Sequence, residues 1–248
     1  MRLADQTLSI LPRPVRRYLR HVYTTATGQL HRNHHEMAER DDFFRRAMRM
    51  LEFNGISGDY AEFGSHGGMT LKLAHRYMKL RGVKRHLWAF DSFQGLPEWA
   101  GEEDEHPAWV PGDMSTSLPA FITEARANGI AADEMTTVAG FYEDTLDKGS
   151  YTGPLPDDLA LCYIDCDLHS STASVLRFLA PRMKHGMVIA FDDYFCHGAK
   201  TLAGERAAML EFLRDDTRFE FLPYHQIGWH GMSFILEDRE LLDRHRKA

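Results

Sequence analysis

The sequence predicts an α/β fold: a doubly wound, mostly parallel seven-stranded sheet with N-terminal helices and a C-terminal antiparallel hairpin. Three observations predict it. From Asp59 to Phe191, short apolar runs alternate with segments of helical spacing, the pattern of successive βα units. Two of those runs, LALCYI and MVIAF, are apolar at nearly every position, as strands covered on both faces are. The last two runs, FEFLPY (219–224) and GMSFILE (231–237), lie too close together for a crossover helix, so they pair antiparallel.

The elements follow in order. Residues 1–50 read as an N-terminal helical extension, a lid or an oligomer contact, and 51–248 as the domain that carries the site. The extension starts at Leu11-Pro12-Arg13-Pro14 and ends with Phe43, Phe44, Ala47, Met48 and Leu51 at helical spacing. Gly55 and Gly58 then break the chain. DYAEF (59–63) is the first strand. Gly67-Gly68 opens a helix through about Leu80, with Leu71, Ala74 and Met78 on one face, and Gly82 ends it. HLWAFD (86–91) is the second strand. Leu96 to Ser117, rich in Pro, Gly and acids, is a long loop, and Leu118–Asn128 a helix stopped by Gly129. MTTVAG (135–140) is the third strand. LALCYID is the fourth, followed by a helix over about Ser171–Met183. MVIAFDD is the fifth, and a further helix at about 200–214 leads to the hairpin.

A chain of 248 residues is long enough for one large α/β domain with a full core. With 44% hydrophobic and 26% charged residues it has the balance of a soluble globular protein. A formal net charge of −7 gives no footprint for nucleic acid. Arg13, Arg16, Arg17 and Arg20 are read as a solvated helix face rather than a membrane-surface helix. No apolar run approaches the roughly 18 residues of a membrane span, and no signal-peptide core is present. Cys162, Cys166 and Cys196, odd in number, read as reduced thiols of a cytoplasmic protein, and no Cys/His set completes a zinc site.

The motifs sit where strands end. Asp165 and Asp167 close the fourth strand, and Asp192 and Asp193 the fifth. Neighbouring strands lie about 4.8 Å apart, so up to four carboxylates crowd one sheet edge. Like charges that close need a shared proton or a cation, and oxygen-only ligands favour a hard divalent ion. Glu62-Phe63-Gly64-Ser65-His66-Gly67-Gly68 is a strand–turn–helix whose glycines let backbone approach a ligand. A dinucleotide fingerprint from Gly64 would need glycine at 66 and 69; His66 and Met69 stand there, against NAD or FAD. Asp91, followed by Ser92, falls where an acid commonly holds ribose hydroxyls. Gly140 and Phe141 follow the third strand, and the aromatics there pack against a purine or belong to the core.

AEFGSHGG, WAFDSFQGLPE, VAGFYEDTL, YIDCDLHSST and MVIAFDDY, in this order and spacing, resemble the macrocin O-methyltransferase (TylF-like) family. These are class I, Rossmann-like methyltransferases that use S-adenosylmethionine, and the resemblance covers roughly residues 58–195. It implies that the turn after Glu62 and Phe63 (Gly64, Ser65, Gly67, Gly68) holds the methionine part of the cofactor and that Asp91 holds the ribose. It implies further that Asp165, Asp192 and Asp193 bind a divalent ion, usually Mg²⁺, and that Asp167 is a base or a further site residue. The expected acceptor is a small-molecule hydroxyl, on a sugar or a glycosylated metabolite. The family commonly carries Tyr where this chain has His169, and Gly-Gly where it has His185-Gly186-Met187.

A sugar hydroxyl is a very weak acid, so its methylation needs positioning and deprotonation. A divalent ion lowers such a pKa, and a carboxylate or histidine can take the proton. Asp165, Asp167 and His169 are therefore the catalytic candidates, with His197 a spare. Trp99 and Trp109 in the acidic 96–117 loop suit a flat sugar or aromatic acceptor; a disordered surface loop is the bland alternative. The rival functions are a metal-dependent hydrolase built on the Asp cluster, and a binding protein with a vestigial site. The expected assembly is a homo-oligomer.

Overall fold

The computed structural model describes residues 35–106, 108–198 and 202–247. The chain divides into two compact units, 1–39 and 40–248. Of the first, only 35–39 are described, and they are helical. The expected Pro-led start and the arginine-bearing face at 13–20 lie outside the described residues. The second unit holds everything that follows.

Its helix over 40–53 (α1) buries Phe43, Phe44, Ala47, Met48 and Leu51, the stripe the sequence spaced for it. Phe44 stacks on Tyr163 with ring centroids 5.3 Å apart and meets Tyr60 edge-on at 5.9 Å. These side chains are enclosed within the unit, and the stripe covers a sheet face.

The sheet has seven strands in the order β3-β2-β1-β4-β5-β7-β6. They are β1 (Asp59–Phe63), β2 (Leu87–Asp91), β3 (Met135–Ala139), β4 (Leu159–Ile164), β5 (Val188–Phe191), β6 (Phe219–Ile227) and β7 (Gly231–Asp238). β1 to β5 are parallel; β7 runs antiparallel to both β5 and β6. The hairpin thus joins the sheet through its second strand. β6 is left at the edge, where Pro223 costs no ladder bond and the register shifts after it.

Between strands lie α2 (Met69–Arg81), α3 (Leu118–Ala127), α4 (His169–Leu179) and α5 (Gly204–Asp215), with α6 (Arg239–Lys247) after β7. The last helix has no counterpart among the sequence expectations; RELLDRHRK is too polar to show an apolar face. α2 ends where Gly82 takes a left-handed φ of 66° and returns its N–H to the last turn. Crossovers run outward from β1 toward β3 and from β4 toward β5, so the order reverses between β1 and β4. β4 is buried at every position, as its unbroken apolar run requires. Ala61, Phe63, Phe90, Ile164 and Phe191 share the core on one face, while Tyr60 and Tyr163 meet α1 on the other. Among the described residues no helix is long and apolar enough to cross a membrane.

Candidate active site

The sheet register brings the motifs together. Phe63 pairs with Phe90 and Ile164, and Ile164 with Phe191, so the four central strands end level. The ladder continues past them: Asp165 N–H donates to Phe63 O and Asp192 N–H to Ile164 O, both at 2.8 Å. Gly64 thereby lies against the backbone of Asp165. Its φ is +87°, and a Cβ there would fall 1.7 Å from Asp165 O, so only glycine fits.

Asp91 organises the turn that follows. Its Oδ2 accepts the N–H groups of Ser65 and His66, each at 2.8 Å, and its Oδ1 accepts that of Phe93 at 2.6 Å. One carboxylate at the end of β2 thus pins the loop after β1. Ser92 Oγ donates to Gly95 O at 2.7 Å. Gly140 N–H bonds to Asp91 O at 3.0 Å, bringing the exit of β3 to the same place. Gly64, Asp91, Ser92, Gly140, Phe141 and Asp165 then line one cleft. Of the other residues expected to bind the cofactor, Ser65, Gly67 and Gly68 shape the turn. Phe63 stacks on Phe90 in the core at 4.6 Å. Glu62 is fully buried beneath the turn, where burial pushes its pKa up to about 8. Tyr60 Oη donates to Glu62 Oε2 at 2.5 Å.

The acids gather at the next strand ends. Asp165, Asp167 and Asp193 each offer a carboxylate oxygen, all within 4.8 Å of one another. Burial raises the pKa of all three; neighbouring carboxylates raise Asp165 and Asp167 further, and the Asp192 charge does so for Asp193. Asp192 stands beside them and is also paired with α1. Arg40 of α1 donates to it through Nε at 3.0 Å and Nη2 at 2.5 Å, and Tyr163 Oη donates to its Oδ1. Burial opposes the guanidinium charge, but Asp192 outweighs it and holds Arg40 firmly protonated. The His230 ring meets Asp192 O through Nδ1 at 2.6 Å, and Asp192, Asp193 and His230 form a second group with ligand atoms within 4.8 Å.

His169 opens α4 and points its Nε2 at Glu211 of α5, 2.8 Å away. It lines a second cleft, beneath the 96–117 loop, and not the one beside the acids. His197 is exposed. The loop itself is tied down. Buried Asp104 caps α4 by accepting the N–H of Ser170 at 2.9 Å and also accepts that of Ala100 at 2.8 Å. His66 Nδ1 lies 2.7 Å from Met114 O. Trp109 is buried and Trp99 is 42% exposed, so only Trp99 presents its ring to solvent.

Arg40, Asp104, Glu205 and His230 were not singled out in the sequence. Arg40 lies 152 positions from its partner, and no local spacing carries such a signal. Asp104 sits in the 96–117 loop among other acids, and Glu205 in the helix expected at about 200–214; neither follows a strand run.

Known proteins resemble this arrangement. Mycinamicin III 3''-O-methyltransferase from Micromonospora griseorubida is 28% identical over 151 residues, covering 57% of each chain. A 4'-O-methyltransferase from Streptomyces olivaceus is 31% identical over 151 residues, 57% of this chain and 54% of that protein. Its substrate is named as 8-demethyl-8-(2,3-dimethoxy-alpha-L-rhamnosyl)-tetracenomycin C. The chain thus spans little more than half the length of these curated relatives. Among solved structures, the O-methyltransferase NovP superposes with a TM-score of 0.67 at 24% identity, covering 80% of both chains. The calicheamicin methyltransferase CalS11 gives 0.60 at 23%, covering 79% of this chain and 77% of that one. Both establish the class I methyltransferase fold. The profile of the macrocin-O-methyltransferase (TylF) family matches residues 32–221, and the chain belongs to that family.

Proposed function

We propose that the protein is an S-adenosylmethionine-dependent O-methyltransferase that uses a divalent cation and acts on a hydroxyl of a sugar-bearing small molecule. The observation that carries this is the juxtaposition, at level strand ends, of the cleft around Gly64 and Asp91 with the Asp165–Asp167–Asp193 group. A hydrolase would use the acids but has no need of the cleft. The sugar-bearing acceptor follows the substrates named for the relatives from Streptomyces and Micromonospora.

The residues fit both the cofactor and the cation. Gly64, Asp91, Gly140 and Phe141 line one cleft at the strand ends, where a nucleoside cofactor would fit. The acid group is oxygen-only, matching Mg²⁺ or a similar ion. Asp165 and Asp193 belong both to the set the family resemblance implies and to the compact group, so we assign them as ligands. Asp192 stays paired with Arg40 and backs them. The cofactor supplies an electrophilic methyl group on a sulfonium, and the cation acidifies the acceptor hydroxyl. The turn at Gly64–Gly68 and Asp91 would hold and orient the cofactor, and Phe141, which lines the same cleft, would offer its ring to the flat base. Asp167, buried beside Asp165 and Asp193, takes the hydroxyl proton. His169, engaged by Glu211, orients α4 rather than moving a proton. The N-terminal extension is assigned as lid or oligomer contact in a homo-oligomer.

Calorimetric titration with S-adenosylhomocysteine, with and without Mg²⁺, tests this first. Micromolar binding, together with chelator-sensitive methyl transfer to a glycosylated acceptor, is expected. No binding under either condition overturns the reading. Binding with chelator-resistant transfer overturns the cation alone.

A further inference from the structure

We propose that Glu205 is a positioning residue that sets the separation of the two acid-bearing strand exits by clipping both backbones with one carboxylate. The proposal rests on the reading that Asp165 and Asp193 hold a divalent cation.

Glu205 is the second residue of α5 and is fully buried. Its Oε1 accepts the N–H of Cys166 at 3.2 Å, and its Oε2 accepts that of Asp193 at 2.9 Å. Cys166 stands between Asp165 and Asp167, so the two oxygens grip the exit of β4 and the exit of β5. Few side chains can do this: two acceptors at a fixed spacing require a carboxylate.

The backbone around it is shaped for the contact. Gly204 has φ +60°, and a Cβ there would lie 3.1 Å from Asp167 O, so α5 can begin hard against the β4 exit. Asp167 itself has φ +61°, in the left-handed region that side chains avoid, and Leu168 N–H closes back on Cys166 O at 2.5 Å. A turn held in that conformation needs an anchor, and the Cys166 N–H bond to Glu205 is one.

Charge alone does not account for Glu205. A fourth carboxylate beside three others adds repulsion, and burying it costs more still. Geometry is what it contributes: repelling loops are kept at the distance a cation bridges.

Two variants separate geometry from charge. Glu205→Gln keeps one acceptor and turns an NH₂ toward the other N–H, releasing one loop. Glu205→Asp keeps the charge but withdraws the clip by one carbon. Mn²⁺ binding, followed by the resonance signal of the free ion, is measured on the whole protein alongside S-adenosylhomocysteine affinity. A rise of about 10–100-fold in the Mn²⁺ dissociation constant is expected for both variants, with S-adenosylhomocysteine affinity unchanged. Should the Gln variant not fold, the Asp variant decides. Wild-type Mn²⁺ affinity in the Asp variant overturns the positioning role. Parallel loss of both affinities overturns it as well, in favour of general support of the fold. A wild-type protein that does not bind Mn²⁺ overturns the cation reading itself, and is distinguished because the defect then precedes any substitution.

Discussion

The β1–β2–β3 side of the site and the β4–β5 side are built by opposite means. On the first, one carboxylate, Asp91, collects backbone N–H groups from Ser65, His66 and Phe93, and a glycine gives way where chains meet. Its partners lie within 26 positions along the chain. On the second, carboxylates face one another, and what steadies them comes from other elements: Arg40 of α1 on Asp192, 152 positions away, Glu205 of α5 under Cys166 and Asp193, and the His230 ring on Asp192 O. Backbone geometry is local and short-ranged, whereas buried charge must be balanced by whatever the fold brings near.

The sharpest test of that contrast is Asp167→Asn. Removing the proposed base should cost about 10²–10⁴-fold in turnover, with S-adenosylhomocysteine binding retained. Equal loss of cofactor affinity would merge the two sides into one functional unit. Next in size is Arg40→Ala. It leaves the Asp192 charge buried without its cation, and about 3–5 kcal/mol of stability should be lost in chemical denaturation. Adding Asp192→Asn should restore much of it. An additive double variant would show that the pair contributes nothing as a pair.

Gly64→Ala probes the backbone-built side. The added Cβ must push Asp165 O away and hold alanine at a positive φ, for about 1–3 kcal/mol and most of the cofactor affinity. Glu62 gives a pH signature. Its folded pKa, about 8, lies above the ordinary 4.5, so the folded state binds the extra proton and stability falls as pH rises between those values. Glu62→Gln should flatten that slope in denaturation curves taken across the span; an unchanged slope would place its origin among the Asp residues. Smallest is Gly82→Ala, at the end of α2 and away from both sides. No atom lies within 4 Å of the new Cβ, so only the left-handed φ counts, about 1 kcal/mol by thermal unfolding, with binding unaffected.

The legible part of the site follows the same division. Gly64, Asp91, Gly140 and Asp165 each follow an apolar strand run, and strand ends in an open α/β sheet converge. His169 lies near Asp167 in sequence, but the start of α4 turns it toward Glu211. Proximity in sequence does not fix direction once a helix begins. In the 96–117 loop, the acids that suggested a solvated segment include Asp104, which is buried as a helix cap.

The sequence by itself determined the α/β alternation, the strands buried on both faces, the antiparallel hairpin and the edge on which the motifs lie. Those features depend on residue periodicity and on glycine, which act over a few positions. Only the tertiary structure decided that Asp193 joins Asp165 and Asp167 while Asp192 turns to Arg40, and that Glu205 lies beneath them. Electrostatic partners are chosen by distance in space and by exclusion of water, and neither quantity is written in the spacing of residues along the chain.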